Sequence, residues 1–417
     1  MKKLLLFILF IIIVIFSYFY FNYEKKDELM EILIKTEDKE FQINDYGIFG
    51  THFNISGCID TVLSENSVLI LKNQDEEIEL KGNFKFLDNK TCFDTGENNN
   101  DSIYLDSLKN GKYLLLIKDY DKYYSLTNKT EYSNLEYYTI TQKNKNNKID
   151  ILFKTNEKDY VIFNIKEASL PDNTYDIALD PGHGGKDTGS SGVLNNTTYY
   201  ESNLTLEVCL KLKKELEKLG LKVKLTRDDD VYLSSYDRGG RALIPNDYNT
   251  KYSLSIHFNN LDVKTGYGGV EVYTPNNVNI ELAKILADNI ATVVGYSKKQ
   301  YDRLDNGVYY TYFTKSIISS SAKGLEKEGM KPYDIKIGAP YMYMIREVGG
   351  KYTYAYVDGR NEYYGLNSYY NSNKVAEPYL IELAYLNYNS DLIKAVENPK
   401  EFSLAIKKAI EEYLNIS

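Results

Sequence analysis

Short apolar or alternating runs mark the chain between residues 28 and 170. Four of them have the length and residue types of β-strands: residues 67–71, 77–80, 113–117 and 160–165. Clusters of Asn, Asp and Gly separate the runs, as expected where strands end. The pattern predicts a small β-rich domain of unknown role, built as an antiparallel sandwich or barrel. We find no chemical motif in it, and its His52 is predicted to be structural.

Beyond a polar junction at residues 168–173, strand and helix patterns alternate. Residues 177–179 form a buried apolar run, and apolar residues then recur at helical spacing from Leu204 to Leu219. Further strands are predicted at 221–226, 253–257, 270–273, 342–345 and 380–383, and further helices at 279–294, 390–397 and 400–414. Such alternation is typical of a mostly parallel, twisted sheet with helices on both faces. Residues 171–417 are therefore predicted to form an α/β domain.

A Tyr-rich stretch at about 296–375 interrupts the α/β pattern. It is also rich in Gly, Ser and Asn and shows no clear periodicity. Long stretches of this kind inside a compact domain usually have a functional role. We interpret it as an insertion that forms a lid or one wall of a groove.

The N-terminus, residues 1–27, has the pattern of a membrane anchor. After Met1 and two lysines, an apolar run extends from Leu4 to about Tyr23. About 20 residues at roughly 1.5 Å each are enough to span a hydrocarbon core. The run is longer than a cleavable signal peptide requires, and no small-x-small cleavage site follows it. We expect an uncleaved, single-pass transmembrane helix with the remainder on the cell-wall side of a bacterial membrane.

Composition and charge exclude one class of partner. The formal net charge of the 417 residues is -9, so the basic surface that nucleic-acid binding requires is missing. The same charge would not hold the chain on anionic wall polymers or lipid headgroups. Of the three cysteines, Cys58 and Cys92 lie close enough along the chain to form a disulfide, whereas Cys209 falls on an apolar helix face and is predicted to be a core residue.

Two of the three histidines end strand-like runs. His183 follows the first strand of the α/β domain within a Gly-rich turn, and His257 ends the run 253–257. Glu201 stands where the first helix begins. Because the carboxyl ends of parallel strands meet in one crevice, two imidazoles and a carboxylate can converge there, which suits one Zn²⁺ with an open position. The alternative is two buried structural histidines and a carboxylate that favours a helix start.

These residues carry a resemblance to a known family. The segment of about 175–415 resembles the zinc-dependent N-acetylmuramoyl-L-alanine amidases, which cut bacterial peptidoglycan. Residues 180–185 resemble the opening motif of that family, Glu201 its ligand glutamate, and residues 255–259 its second histidine motif. Residues 380–387 are similar to its late strand, which implies that Glu382 is the catalytic glutamate. The chain departs from the family pattern in its Tyr-rich insertion and in Ala384, where glycine is common.

The resemblance implies hydrolysis of the amide bond between N-acetylmuramic acid and L-alanine, with Glu382 as general acid and base. Asn259, Arg346 and Arg360 are candidate substrate-binding residues, since guanidinium groups match the carboxylates of stem peptides. Surface salt bridges are the alternative for the two arginines. Two other functions stay open: a membrane-tethered wall-binding or regulatory module with a vestigial metal site, and a zinc amidase or peptidase that acts on another cell-wall peptide. The partners of the β-rich domain are unknown.

Overall fold

A computed structural model of the chain describes residues 28–33, 35–80, 82–95, 102–128, 132–140, 146–153, 159–235, 238–261, 267–277, 280–299, 302–327, 335–355 and 367–416. The anchor expected at residues 1–27 lies outside these residues. Within the described ranges, no helix combines the length and the apolar character that crossing a membrane requires.

The N-terminal half is built almost entirely from strands, which follow a short helix α1 (Glu28–Leu33). The strands are β1 (Glu37–Phe49), β2 (His52–Ile59), β3 (Val68–Lys72), β4 (Glu77–Leu80), β5 (Asn83–Phe86), β6 (Thr91–Asp94), β7 (Ile103–Tyr104), β8 (Gly111–Asp119), β9 (Lys122–Asn128), β10 (Leu135–Thr139), β11 (Asn147–Leu152), β12 (Asp159–Tyr160) and β13 (Ile162–Glu167).

The second half alternates strands and helices, as its sequence predicts. Its strands are β14 (Ile177–Pro181), β15 (Ser191–Leu194), β16 (Thr197–Tyr200), β17 (Val223–Leu225), β18 (Tyr252–Asn259), β19 (Glu271–Tyr273), β20 (Arg303–Asp305), β21 (Val308–Tyr309), β22 (Lys374–Val375) and β23 (Glu377–Tyr385). Its helices are α2 (Glu201–Lys218), α3 (Ile244–Asp247), α4 (Glu281–Val294), α5 (Lys315–Lys327), α6 (Tyr343–Val348), α7 (Asn389–Glu397) and α8 (Pro399–Leu414).

The N-terminal strands form one sheet in the order β10-β11-β13-β8-β9-β1-β2-β6-β5, with the remaining strands paired beside this path. Most pairs are antiparallel, whereas β1 and β9 are parallel. Along β11 every second residue is buried, so Ile149 and Ile151 enter the core while the residues between them are only half-buried. Cys58 and Cys92 face each other on β2 and β6 and form a disulfide.

The sheet of the second half is mixed, so the expectation of a mostly parallel sheet was wrong. Its order is β17-β14-β18-β23-β19-β21-β20. The first four of these strands are parallel, but β19 runs antiparallel to β23, and β20 runs antiparallel to β21. Only residues 260–270 separate β18 from β19, which is shorter than the connection of about a dozen residues or more that a parallel crossover needs.

The two faces of this sheet differ in chemistry. Side chains alternate along a strand, so Leu254, Ile256 and Phe258 of β18 enter the apolar core, while Ser255 and His257 point to the opposite face. The core contains residues of α2, α4, α7 and α8. The opposite face is covered by the short α6, whose Ile345 packs with Leu380 of β23. Helices α2, α4, α7 and α8 therefore pack on one face of the sheet, and α6 covers the other.

The strand predicted at residues 342–345 is wrong, because residues 343–345 lie in helix α6 and only Met342, just before it, has an extended backbone. Four apolar residues in a row do not distinguish the two structures. In the fold, Met344 and Val348 pack together in one small cluster, whereas Ile345 joins a second cluster. Met344 and Val348 are four residues apart and so lie on one side of the helix, while Ile345 lies on another. The insertion thus supplies one wall of the polar face of the sheet.

The two halves are joined by strand pairing as well as by the chain itself. Strand β22 lies parallel to β1, with Ile48 opposite Lys374 and Phe49 opposite Val375. One residue later the same segment enters β23 of the second sheet. Beside this junction, His52 Nδ1 lies 3.4 Å from the buried carboxylate of Glu377. His52 is therefore part of the contact between the halves, consistent with the structural role predicted for it.

Candidate metal centre and active site

A Gly-rich turn after β14 presents His183 at the sheet edge. His183 itself has a φ of 61°, in the left-handed region, and Gly184 and Gly185 follow with φ values of 137° and 58°. A Cβ at Gly182 would lie 2.5 Å from Cε1 of the His257 ring. Only glycine at this position lets the turn pass so close to the second histidine. The turn therefore brings the two imidazoles together.

The three residues that the sequence singles out meet at one point. His183 Nε2 lies 3.2 Å from Glu201 Oε1, and His257 Nδ1 lies 2.9 Å from the same oxygen. The three potential ligand atoms all lie within 4.8 Å of one another. The two imidazole rings stand nearly perpendicular, with centroids 5.0 Å apart. The site thus offers two nitrogens and one oxygen toward a common centre.

Glu201 is held in place by the backbone. As the first residue of α2 it is 2% exposed, and its Oε2 accepts a hydrogen bond of 2.8 Å from the Ser190 amide. Its Oε1 accepts another, of 3.1 Å, from the Phe258 amide. Burial alone would raise the pKa of Glu201, but the hydrogen bonds and charges of His183 and His257 outweigh it, and the net pKa is strongly lowered. Glu201 is therefore ionised, as a metal ligand must be.

Asp187 orients His183 and was not identified from the sequence. Its Oδ1 lies 2.9 Å from His183 Nδ1 and also accepts a hydrogen bond of 3.2 Å from the Gly189 amide. A carboxylate that holds Nδ1–H leaves Nε2 free of hydrogen and available to a metal. The only sign of this contact in the sequence is that Asp187 lies four residues after His183. In a loop, a spacing of four residues does not predict a contact.

Replacing Asp187 with Asn should weaken zinc binding by about 10–100-fold, the usual effect of losing an outer partner of a ligating histidine. The fold should be unaffected, because the side chain of Asp187 is 46% exposed. Competition with a fluorescent chelator would measure the affinity, with Asp172→Asn as the control. Unchanged affinity would show that Asp187 does not set the orientation of His183.

The residues present fit a zinc ion. In a tetrahedral zinc site with metal–ligand bonds of about 2.0–2.1 Å, neighbouring ligand atoms are separated by roughly 3.3 Å. The distances of 2.9 and 3.2 Å from Glu201 Oε1 to the two histidine nitrogens are close to this value. Two imidazoles and a carboxylate are also the ligand types that zinc accepts in sites with an open position.

Glu382 lies beside the three clustered residues. In the sheet it is directly opposite His257 of β18 on one side and Glu271 of β19 on the other. Its Oε2 is buried and has no hydrogen-bond partner among the described residues. Burial, followed by the negative charges of Glu201 and Glu271, raises the pKa of Glu382 well above its usual range. Glu382 can therefore hold a proton, and later release it, at a pH where an ordinary carboxyl group is already ionised.

Glu271 is a buried carboxylate that sequence reasoning missed. It is completely buried and accepts hydrogen bonds from the hydroxyl groups of Tyr273 (2.6 Å), Ser297 (2.8 Å) and Tyr385. Asn259 Nδ2 donates a fourth bond of 3.2 Å. The carboxylate of Glu271 thus accepts hydrogen bonds from four donors. The strand-pair register alone places it beside Glu382, and a single sequence does not reveal that register.

A buried ion pair supports the turn that carries His183. Arg241 donates two hydrogen bonds to Asp180, of 2.8 and 2.7 Å, and Ser255 donates a third of 2.6 Å. Arg227 binds the carbonyl oxygens of Pro181, Gly182 and Ser202. Both arginines are nearly fully buried. Arg227 connects the end of β14 to the start of α2, and so connects the turn of His183 to the helix start that carries Glu201.

Of the candidate substrate-binding residues, Asn259 is half-buried and Arg346 is buried. Asn259 Nδ2 donates to Glu271, and its Oδ1 accepts from the Asn260 amide. Arg346 is 2% exposed, and its Nη1 donates to the carbonyl oxygens of Pro340 and Tyr341. As placed, its guanidinium is not accessible to a stem-peptide carboxylate, and it supports the insertion instead. Arg360 lies outside the described residues.

Comparison with known proteins matches the same part of the chain. Residues 177–322 match the family model described as N-acetylmuramoyl-L-alanine amidase. The probable cell wall amidase LytH of Staphylococcus aureus is 39% identical over 117 residues, which are 28% of this chain and 36% of the relative. The matched segment thus spans about a third of the length of that curated relative.

Two solved structures are similar at low identity. The catalytic domain of CwlV, an N-acetylmuramoyl-L-alanine amidase from Bacillus (Paenibacillus) polymyxa var. colistinus, is 18% identical, with a TM-score of 0.38, over 58% of this chain and 100% of the other. The CwlD amidase from Clostridioides difficile, solved in complex with the GerS lipoprotein, is 22% identical, with a TM-score of 0.34, over 58% and 99%. The family match thus covers the segment that contains His183, Glu201 and His257, whereas Glu382 lies beyond it.

Proposed function

We propose that this protein is a zinc-dependent amidase that hydrolyses the bond between N-acetylmuramic acid and L-alanine in bacterial peptidoglycan, with one zinc per chain. The observation that carries the proposal is the convergence of His183, Glu201 and His257 within 4.8 Å, with Glu382 directly opposite His257 in the sheet. The family match over residues 177–322 supports the substrate.

His183 Nε2, Glu201 Oε1 and His257 Nδ1 would hold the ion. Zinc, when bound, would lower the pKa of a water from about 15.7 to about 7, polarise the scissile carbonyl and oppose the charges that raise the pKa of Glu382. Glu382 would accept a proton from the attacking water as the oxygen of that water adds to the carbonyl carbon of the substrate. The same carboxyl delivers that proton to the amine nitrogen as the C–N bond breaks. The products are a carboxylate on the muramic acid side and a free amino terminus on alanine.

The test is product identity on purified peptidoglycan. The purified protein loaded with equimolar zinc should release new amino-terminal alanine, and mass spectrometry should find intact glycan strands without stem peptides. Metal content measured on the same sample should be about one zinc per chain. Release of a different terminus would favour the alternative of a zinc amidase or peptidase that acts on another cell-wall peptide. If no new amino terminus is released at all, the proposal is wrong.

Zinc binding should weaken as the pH falls, because protons compete for His183. Burial lowers the pKa of His183, but the hydrogen bonds and charges of Glu201 and Asp187 outweigh this, so the net pKa lies above 6.5 in the metal-free protein. Competition should therefore begin above pH 6.5, and activity should fall further below about pH 6. In the metal-free protein, the stability of the fold has the opposite dependence on pH. The ion pair of protonated His183 stabilises the fold below pH 6.5, and this contribution is lost as the pH rises through the raised pKa. Activity that stays flat from pH 7 to pH 5 would contradict the proposed ligand role.

The alternative of a wall-binding or regulatory module with a vestigial site rests on the N-terminal sheet, which the family match does not cover. It predicts that His183→Ala retains full wall binding and full cellular function. The zinc amidase predicts that this substitution abolishes wall hydrolysis. Complementation of a deletion strain with the His183→Ala variant separates the two.

The proposed location is the outer side of the bacterial membrane, where peptidoglycan lies. The disulfide between Cys58 and Cys92 supports it, because disulfides persist in oxidising compartments. The anchor expected at residues 1–27 would hold the protein at the membrane. Alkylation of free thiols in intact cells should modify neither of these two cysteines until the protein is reduced.

A further inference from the structure

A row of three polar side chains crosses the second sheet beside the metal centre. His257 on β18, Glu382 on β23 and Glu271 on β19 are direct strand partners, so their side chains point to the same face. In an antiparallel pair, residues opposite each other have Cβ atoms about 4.5–5.5 Å apart. Glu382 therefore has two neighbours, the proposed metal centre on one side and the carboxyl group of Glu271 on the other.

The second neighbour is one that a carboxyl group would ordinarily bind. Two carboxyl groups at such a distance commonly share one proton, because two negative charges so close together repel each other. A shared proton would turn Glu382 toward β19 and away from the water that it activates in the proposed reaction. In the structure this bond is not formed. Among the described residues no hydrogen bond joins Glu382 to Glu271, and Glu382 Oε2 has no partner.

The surroundings of Glu271 account for the missing bond. Its carboxylate already has four donors, two on each oxygen. They are the hydroxyl groups of Ser297 (2.8 Å) and Tyr385 on Oε1, and the Tyr273 hydroxyl (2.6 Å) and the Asn259 side-chain amide (3.2 Å) on Oε2. A carboxylate offers about four acceptor positions in total. Every position is therefore taken, and none is left for a proton carried by Glu382.

The donors around Glu271 are themselves held in place. Lys299 Nζ donates a hydrogen bond of 2.8 Å to the Tyr273 hydroxyl oxygen, which leaves the proton of that hydroxyl for Glu271. The same ammonium lies 3.9 Å from Glu271 Oε2. Glu271 and its three hydroxyl donors are all buried. They come from β19, β23 and the start of the Tyr-rich insertion, so the packing of three segments fixes the network.

We infer that Glu271 is a positioning residue: its fully occupied carboxylate denies Glu382 a partner on β19 and leaves the Glu382 carboxyl group free to face the attacking water. The inference rests on the proposed function, in which Glu382 transfers the proton. It assigns Glu271 no contact with substrate or metal. Ser297 and Lys299 belong to the insertion, so the insertion contributes to the placement of Glu382 through this network.

Glu271→Gln tests the inference directly. Glutamine keeps the shape of the side chain but replaces one acceptor oxygen with an NH₂ donor, which offers Glu382 a partner on β19. A crystal structure of the full-chain variant should show the Glu382 carboxyl group hydrogen-bonded to the new amide. The value of kcat for peptidoglycan should fall by about 10–100-fold, the usual effect of misplacing a reacting group. KM and zinc content should stay unchanged, because residue 271 contacts neither substrate nor metal.

Tyr385→Phe is a milder second variant, which loses one hydroxyl at nearly constant volume and so is expected to fold. It frees one acceptor position on Glu271, so Glu382 should turn toward Glu271 in the crystal structure. The value of kcat should fall, by less than in Glu271→Gln, and KM should again stay unchanged. Two controls at exposed positions, Tyr388→Phe and Glu397→Gln, should alter neither kcat nor the orientation of Glu382.

Two results would overturn the inference. One is an unchanged orientation of Glu382 in both variants. The other is a rise in KM with kcat retained, which would place Glu271 in substrate binding instead. Failure of the proposed function looks different, since the unaltered chain would then release no new amino termini. Equal hydrolysis by the unaltered chain and by both variants would refute only the role of Glu271.

Discussion

Glu382→Gln should lower kcat for peptidoglycan hydrolysis by about 10²–10⁴-fold, the contribution that a positioned general acid and base commonly makes. Glutamine keeps the size and hydrogen-bonding ability of the side chain but cannot accept and return a proton. Zinc content should stay at the level of the unaltered protein, because Glu382 is not one of the three residues that converge on a common centre. Single-turnover hydrolysis and metal analysis of the same sample would measure both quantities.

A matched control for this variant is Glu397→Gln, at an exposed position at the end of α7. It should leave both kcat and zinc content unchanged. Loss of zinc in the Glu382→Gln variant would show that Glu382 is a ligand rather than the acid and base. Full turnover with zinc bound would assign the proton transfer to another group.

Glu201→Gln should weaken zinc binding by more than about 100-fold, the upper range for partners outside the ligand shell, and activity should fall with it. The carboxylate lies within 3.2 Å of nitrogens of both histidines, so its charge contributes to the site directly. Its replacement also removes the charge that raises the pKa of His183, so the neutral imidazole should persist to lower pH in the metal-free variant. Chelator competition measures the affinity, and NMR titration of the His183 ring measures the pKa.

Glu207→Gln is the control, since it changes an exposed glutamate on the same helix. Each of the two measurements on Glu201→Gln has its own contradicting outcome. An unchanged zinc affinity would remove Glu201 from the ligand set. An unchanged pKa of His183 would mean that Asp187 alone holds the proton on that ring.

The three proposed metal ligands were accessible from sequence because each has a local signal. His183 and His257 end strand-like runs, and Glu201 begins a helix whose apolar spacing is clear. Parallel strands bring their carboxyl ends to one edge, so residues at those ends must lie close together. The position of Glu382 followed from resemblance and from its place in an apolar run, and the structure places it opposite His257.

Residues that act through these groups have no comparable signal. Glu271 is placed beside Glu382 by antiparallel pairing of β19, and Asp187 reaches His183 across a turn. Strand register and loop conformation depend on the whole packed sheet, and hydrophobic periodicity does not encode them. For the same reason, Arg346 had the residue type of a substrate anchor but lies buried within the insertion.

Local patterning was enough to establish two halves of different architecture, the polar junction between them and the three residues that surround the proposed zinc. These features depend on spacing along the chain, because side-chain direction repeats with the period of each element. Tertiary packing set the mixed strand order, the helical form of residues 343–348 and the pairing of β22 with the N-terminal sheet. Each of these depends on which distant segment offers a complementary surface, so each arises only when the whole chain is folded.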